Sequence, residues 1–133
     1  MITREADYSM RLVVALAERK KRGILSVSSF EVAKELEIPY RFLRKLVKRL
    51  VGGGIIESRR GKGGGVALAK PDKNISLYDI LQVMGPRGVE LNICSSDPTS
   101  CARSPLCRMQ REFSNIQMEV DLRLKNVFIA DLV

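Results

Sequence analysis

The chain has 133 residues, 45% of them hydrophobic and 29% charged, which is enough for one modest globular core and an appendage. No stretch approaches the roughly 18 to 20 uncharged residues of a membrane-spanning helix, so we expect a cytoplasmic protein with no membrane partner. The sequence contains no histidine, no nucleophile motif and no evident pair of catalytic acids. An enzyme is therefore not expected.

The first fifty residues predict three helices. Apolar residues recur at helical spacing over 4–21, and Ser28 with Glu31 forms a capping-box pattern before a short second helix. Pro39 suits the first turn of a third helix over 39–51, since proline lacks a donor that is unpaired there. One face of this third helix is apolar and the other is basic. The basic face carries Tyr40, Arg41, Arg44, Lys45 and Lys48.

Positive charge is concentrated around this third helix. The net charge of the chain is +8, and the 22 residues of 41–62 contain eight cations against one acid, Glu57. A basic patch of this kind is typical of a protein that binds the phosphate backbone of nucleic acid. The alternative is a solvated helix face with no partner.

A change to alternating periodicity over 55–69 predicts a β-hairpin with the tip GKGGG. Arg60 and Lys62 stand at this tip beside backbone without side chains at Gly63 and Gly64, which would permit close approach to phosphates or to a minor groove. The alternative is a plain turn, because glycine adopts positive φ at low cost. Helices followed by a hairpin indicate a winged helix-turn-helix, a mainly α fold with a small β-hairpin wing, over 1–88.

The remainder of the chain predicts a loop and a long helix. Ser76 with Asp79 predicts a capped short helix through Met84, and glycine and proline then mark a boundary. The cysteine-bearing loop is assigned to 89–108, and a long C-terminal dimerisation helix with its tail to 109–133. Apolar residues repeat every three or four positions along this helix, and we expect a second copy of the chain to cover them.

The loop holds all three cysteines, Cys94, Cys101 and Cys107. Three thiolates suit zinc or an iron–sulfur cluster, and such sites usually have four protein ligands. Two interpretations without a cluster remain open. The cysteines could hold zinc as a structural site, or they could form a disulfide under oxidants in a metal-free thiol sensor.

The motifs RRGKGGGVALAKP and ISLYDILQVM, the three cysteines and the ending FIADLV resemble the IscR/NsrR-type family of bacterial iron–sulfur transcription regulators. The resemblance covers nearly the whole chain. It implies a homodimer with crossed long helices, a [2Fe-2S] or [4Fe-4S] cluster on the cysteines, and a pseudo-palindromic operator in double-stranded DNA. It also implies that the cluster switches operator affinity in response to nitric oxide, redox state or cluster supply.

The resemblance also assigns roles to individual residues. Tyr40, Arg41, Arg44 and Lys45 match the family's base-reading helix, and Arg60 with glycines 63–65 matches its wing. One branch of the family completes the cluster site with a histidine three residues after the last cysteine, where this chain has Gln110. In the nitric-oxide-sensing branch an aspartate before a tyrosine reaches across from the partner subunit.

This chain has Asp7 before Tyr8 in the matching place, so the resemblance favours Asp7 of the partner subunit as the fourth ligand. The alternative role for Asp7 is that of an acid near a helix N-terminus, where it stabilises the helix dipole. The other candidate ligands are Gln110, Glu112, Asp97 or an external molecule.

Overall fold

A computed structural model describes residues 2–62, 64–85 and 89–133, without the side chains of Ser95 and Ser96. The described α-helices are α1 Arg4–Lys21, α2 Ser29–Glu35, α3 Tyr40–Gly52, α4 Leu77–Val83, α5 Ile93–Ser96 and α6 Arg108–Lys125. Strands β1 Ile56–Arg59 and β2 Gly65–Leu68 form an antiparallel hairpin. Short 3-10 turns lie at Asp72–Asn74, Pro98–Ser100, Ser104–Leu106 and Ile129–Leu132. The predicted fold, mainly helical with a hairpin wing, is confirmed.

The first three helices bury the faces that the apolar spacing predicts. Thr3 precedes α1, and its side chain accepts a hydrogen bond from the Ala6 N–H at 3.2 Å. Pro39 lies immediately before α3 rather than inside it. The buried apolar residues of α1 and α3 meet in one core, which includes Leu12, Val13, Leu16, Leu43, Leu46 and Leu50. This packing leaves the polar face of α3 in solvent.

The hairpin is attached to the helices by one more backbone pairing. Val27 pairs with Val66 of β2 in antiparallel fashion, with N–H to O distances of 3.0 and 2.8 Å. The neighbouring Ser28 is the N-cap of α2, but its side chain makes no capping hydrogen bond, so the capping box predicted for Ser28 and Glu31 is wrong. The pairing of Val27 holds the backbone that enters α2, which orients this helix without the cap.

The capping box predicted for the fourth helix is present. The Ser76 hydroxyl accepts from the Asp79 N–H at 3.1 Å, and the Asp79 carboxylate accepts from the Ser76 N–H at 2.9 Å. The exchange satisfies two backbone donors at this helix end, one at the N-cap and one in the first turn of α4. The residues at the start of α4 also form hydrogen bonds with the C-terminal tail.

The C-terminal tail folds back into the winged-helix core. The Ile129 N–H donates to the Ile75 carbonyl at 2.9 Å, and the Leu77 N–H donates to the Val127 carbonyl at 2.9 Å. The Ile129 side chain is fully buried in the core that α1, α3 and α4 share. The C-terminal end of α6 is therefore held against the winged-helix domain.

Helix α6 itself is much less covered. It packs on α4 and α5, and no residue of α6 is buried. Its half-buried face carries Phe113, Gln117, Val120 and Leu124, which recur at helical spacing. Four apolar side chains of α6 are exposed: Met109 and Ile116 lie beside that face, and Met118 and Leu122 lie on the opposite side of the helix. No helix in the described ranges has both the length and the hydropathy needed to cross a membrane.

Because the Ile129 side chain is fully buried, we predict that Ile129→Ala lowers the free energy of unfolding by about 2–5 kcal/mol in urea titrations. Leu132 lies in the same turn and is 46% exposed, so Leu132→Ala serves as the matched control and should change stability far less. Equal losses for the two variants would show that the tail is not anchored through Ile129.

Candidate nucleic-acid surface and cysteine segment

The outer face of α3 and the hairpin form one open basic groove. The groove is lined by Ser29, Tyr40, Arg41, Arg44, Lys45, Lys48, Ser58 and Arg60. The groove cations predicted from the sequence, on α3 and at Arg60, are therefore brought together, and Lys62 is exposed at the hairpin tip. Gly63, which was also predicted to contribute, lies outside the described residues.

The groove cations have no acidic partners within the described part of the chain. The salt bridges found there involve Arg11, Arg19, Arg49 and Arg59, and none involves a cation of α3 that lines the groove. Unpaired cations on one open face produce a positive potential that attracts phosphates. This surface has the electrostatics of a DNA-binding face.

Arg49 shows that not every cation of this region is left without a partner. Its guanidinium donates to the Glu5 carboxylate at 2.7 Å and to the Met84 carbonyl at 2.6 Å. It therefore joins α1, α3 and the C-terminus of α4. The adjacent Lys48 lines the groove instead. Neighbouring cations thus have different roles, which charge counting along the sequence does not distinguish.

The hairpin requires its glycines for packing. A Cβ atom on Gly64 would lie 2.5 Å from the Arg59 carbonyl oxygen, and one on Gly65 would lie 2.3 Å from the Val27 carbonyl oxygen. Both distances are far below normal contact, and Gly65 also has a φ of 148°. The turn accounts for Gly64, and the pairing with Val27 accounts for Gly65, without DNA.

Ser29 and Ser58 line the groove but were not identified from the sequence. Ser29 reaches the groove because the pairing of Val27 with Val66 brings the start of α2 beside the hairpin. This pairing joins segments far apart in the chain, and the local sequence pattern contains no sign of it.

The three cysteines are spread over the segment between the winged helix and α6. Cys94 lies in α5, Cys101 follows the 3-10 turn Pro98–Ser100, and Cys107 is the N-cap of α6. All three are free thiols, and Cys101 is the exposed one. The Cys107 sulfur accepts a hydrogen bond from the Gln110 N–H at 3.4 Å. One of the three cysteines thus caps the first turn of the long helix.

Two glutamines of α6 bind the preceding segment. Gln110 donates from its side-chain amide to the Cys94 carbonyl at 3.4 Å and to the Ser114 hydroxyl at 3.0 Å. Gln117 donates to the Val89 carbonyl at 2.8 Å and accepts from the Leu91 N–H at 2.9 Å. These bonds attach the cysteine segment and the residues before it to one face of α6.

Within the described residues of one chain, no three cysteine, aspartate or glutamate side chains come together as a metal site. Asp7 lies on α1, where its carboxylate accepts from Arg11 at 3.0 Å and is 43% exposed. Asp97 accepts from the Thr99 N–H at 3.0 Å. Three free sulfurs on one segment fit the donor chemistry of an iron–sulfur cluster. The candidates for a fourth ligand remain Gln110, another side chain, a residue of a second copy or an external molecule.

A family model described as Rrf2, iron-dependent transcriptional regulator, matches residues 2–133. The chain belongs to the Rrf2 family. The predicted resemblance to IscR/NsrR-type regulators is thereby confirmed, since IscR is among the similar structures. Rrf2 proteins are DNA-binding transcription regulators rather than enzymes, so the expected absence of enzymatic activity also holds at the family level.

Solved structures agree along almost the full chain. The T. potens IscR structure has a TM-score of 0.79 and 19% identity, over 99% of this chain and 85% of that one. CymR (YrzC), the global cysteine regulator of B. subtilis, has a TM-score of 0.70 and 23% identity, over 99% of this chain and 95% of that one. The oxidised form of Staphylococcus aureus CymR has a TM-score of 0.74 and 26% identity, over 99% of this chain and 94% of that one. The similarity to the first two structures, T. potens IscR and B. subtilis CymR, establishes the fold.

Proposed function

We propose that this Rrf2 regulator binds a pseudo-palindromic operator as a homodimer, and that an iron–sulfur cluster on its cysteines switches operator affinity. The observation that carries the proposal is the position of Cys107 at the N-cap of α6. The other end of α6 leads directly into the tail, whose Ile129 side chain is buried in the winged-helix core. One helix therefore joins the candidate ligands to the DNA-binding domain.

For DNA binding, α3 enters the major groove with Tyr40, Arg41, Arg44 and Lys45 toward the bases. Residues near the N-terminus of a recognition helix ordinarily contact base edges, and arginine pairs with guanine through two hydrogen bonds. Lys48, Arg60 and Lys62 would contact phosphates or the minor groove on either side. The backbone at Gly63 and Gly64 would approach the phosphates closely.

The homodimer is supported by the apolar side chains on α6. Met109, Ile116, Met118 and Leu122 are exposed along a helix that has no buried residue. A crossed α6 from a second copy would cover them, and it would place two copies of α3 on one duplex. The chain then divides functionally into a DNA-binding part over 1–88, a cluster-binding loop over 89–108 and a dimerisation helix with tail over 109–133.

For the cluster, we propose Cys94, Cys101 and Cys107 of one subunit with the partner subunit's Asp7. A carboxylate holds iron less firmly than a thiolate, so a cluster of this kind has one labile corner that nitric oxide or oxidants can attack. Tyr8, the next residue, packs edge-on against Phe42 of α3, with ring centroids 5.6 Å apart. Gain or loss of the Asp7 ligand would therefore act close to the recognition helix.

A second candidate function is thiol redox sensing without a cluster. It is favoured by the three free cysteines, of which Cys101 is exposed, and by the likeness to the oxidised form of S. aureus CymR at 26% identity. Here a disulfide within the cysteine segment would replace the cluster as the event that moves α6. Zinc held by the same cysteines is the structural alternative.

We predict that Arg44→Ala reduces the preference for the cognate operator over scrambled DNA by roughly 5- to 150-fold, the value of one bidentate base contact of about 1–3 kcal/mol. Lys48→Ala is the matched control on the same helix face. It should weaken binding to all sequences alike. It should also reduce the steepness of log K plotted against log salt concentration by about 1. Fluorescence anisotropy across a salt series measures both. Equal loss on both DNAs for Arg44→Ala would remove Arg44 from base readout.

We predict that Asp7→Ala loses or alters the cluster in protein purified without oxygen, because the labile corner loses its ligand. Iron, sulfide and zinc counts with the visible spectrum measure this. Arg11→Ala is the control, since it removes the partner of Asp7 and leaves the carboxylate. Gln110→Ala tests the candidate ligand on the same chain.

Each outcome selects one assignment. A cluster that is unchanged in Asp7→Ala but lost in Gln110→Ala would transfer the fourth position to Gln110. Zinc without sulfide in the wild type would make the cysteines a structural site. Metal-free protein whose free-thiol count falls under oxidants would favour the thiol sensor.

A further inference from the structure

A side chain outside the recognition helix contacts the base-reading face. Phe30 lies in the first turn of α2, and its ring meets the Tyr40 ring edge-on, with centroids 5.5 Å apart and planes at 76°. The Arg44 guanidinium in turn lies 5.9 Å from the centroid of the Tyr40 ring. Phe30, Tyr40 and Arg44 therefore form a connected series from the start of α2 to the middle of the basic face.

Core packing does not account for this arrangement. Phe30 is 60% exposed and Tyr40 is 41% exposed, and neither belongs to the hydrophobic core. A single exposed phenylalanine is ordinary on a protein surface. Here the exposed ring contacts a tyrosine that lines the groove beside Arg41 and Arg44. Among the described residues, Phe30 thus makes its aromatic contact with the surface proposed to face DNA.

We propose that Phe30 is a positioning residue for sequence readout. Its ring holds Tyr40 in place through the edge-to-face contact, and the face of Tyr40 holds the Arg44 guanidinium through a cation–π contact. An arginine that is already ordered loses less conformational freedom when it pairs with a guanine edge. Phe30 would thus raise discrimination at the base that Arg44 reads, without touching that base.

This inference rests on the proposed DNA reading by α3, and it predicts an effect on specificity rather than on general affinity. Removing the Phe30 ring frees Tyr40 and Arg44 but leaves every cation in the groove. Binding to unrelated DNA, which depends on those cations, should therefore stay nearly constant. A purely structural role for Phe30 would instead lower stability and weaken binding to all DNA alike.

The test uses the full chain and an operator selected from random duplex DNA by the wild type. Affinities are measured for this operator and for copies with each guanine replaced, with thermal unfolding in parallel. We expect Phe30→Ala to lower the discrimination ratio at the Arg44 position by roughly 3- to 10-fold, the range for one lost aromatic pair. Phe30→Tyr keeps the ring and should retain the ratio.

Leu25→Ala is the matched control, because Leu25 is an apolar residue 71% exposed shortly before α2. It should leave the ratio within about twofold of the wild type. In a Tyr40→Ala background, Phe30→Ala should have no further effect on the discrimination ratio, because the Tyr40 ring that joins Phe30 to Arg44 is already absent. This loss of additivity is the signature of action through Tyr40.

An unchanged ratio in Phe30→Ala, an equal loss on all DNA, or full additivity with Tyr40→Ala would each overturn the inference while DNA reading by α3 stands. A selection that enriches no sequence with the wild type would contradict the proposed DNA reading itself, and the role of Phe30 would fall with it.

Discussion

The fold depends on the return of the C-terminal tail to the winged-helix core. Backbone hydrogen bonds join Val127 and Ile129 to the residues before α4, and the Ile129 side chain is buried among the helices of the core. This fixes the last turn of α6, while Cys107 caps its first turn. A helix held at both ends can transmit a displacement that a freely hinged helix would absorb. In the proposed switch, a change at the cysteines would reach the domain that carries α3 by this route.

Pairing divides the positive charge of this domain between two uses. Arg49 is bonded to the Glu5 carboxylate and the Met84 carbonyl, where it joins three helices. Lys48, the residue before it, stays in the groove with the unpaired cations. Helical geometry explains the difference, since successive residues lie about 100° apart around the axis. Two neighbouring positive charges therefore have different roles: Arg49 stabilises the fold, and Lys48 contributes to the positive potential that attracts phosphates.

Much of this architecture could be predicted from the sequence, because local patterns report local structure. The capping box at Ser76 was predicted correctly, and so were the hairpin and the basic face of α3. The cap at Ser28 was predicted wrongly, since the Ser28 side chain makes no capping bond, while Val27 beside it pairs with a distant strand. The same pairing brings Ser29 to the groove. The Phe30 contact with Tyr40 was missed too, since it depends on how α2 crosses α3. The cysteines were identified, but their placement depends on contacts with α6, such as the bond from Gln110 to the Cys94 carbonyl, which the local sequence does not encode.

The central claim is that the state of the cysteine segment sets operator affinity through α6. The most direct test is the dissociation constant for the selected operator, measured on one anaerobic preparation before and after removal of its iron by a chelator, with thiols kept reduced. The account predicts a change of at least about 5-fold, the lower end of ordinary allosteric coupling. Equal affinity of the iron-loaded and stripped protein would contradict it, and would leave disulfide formation as the remaining way in which the cysteines could act on DNA binding.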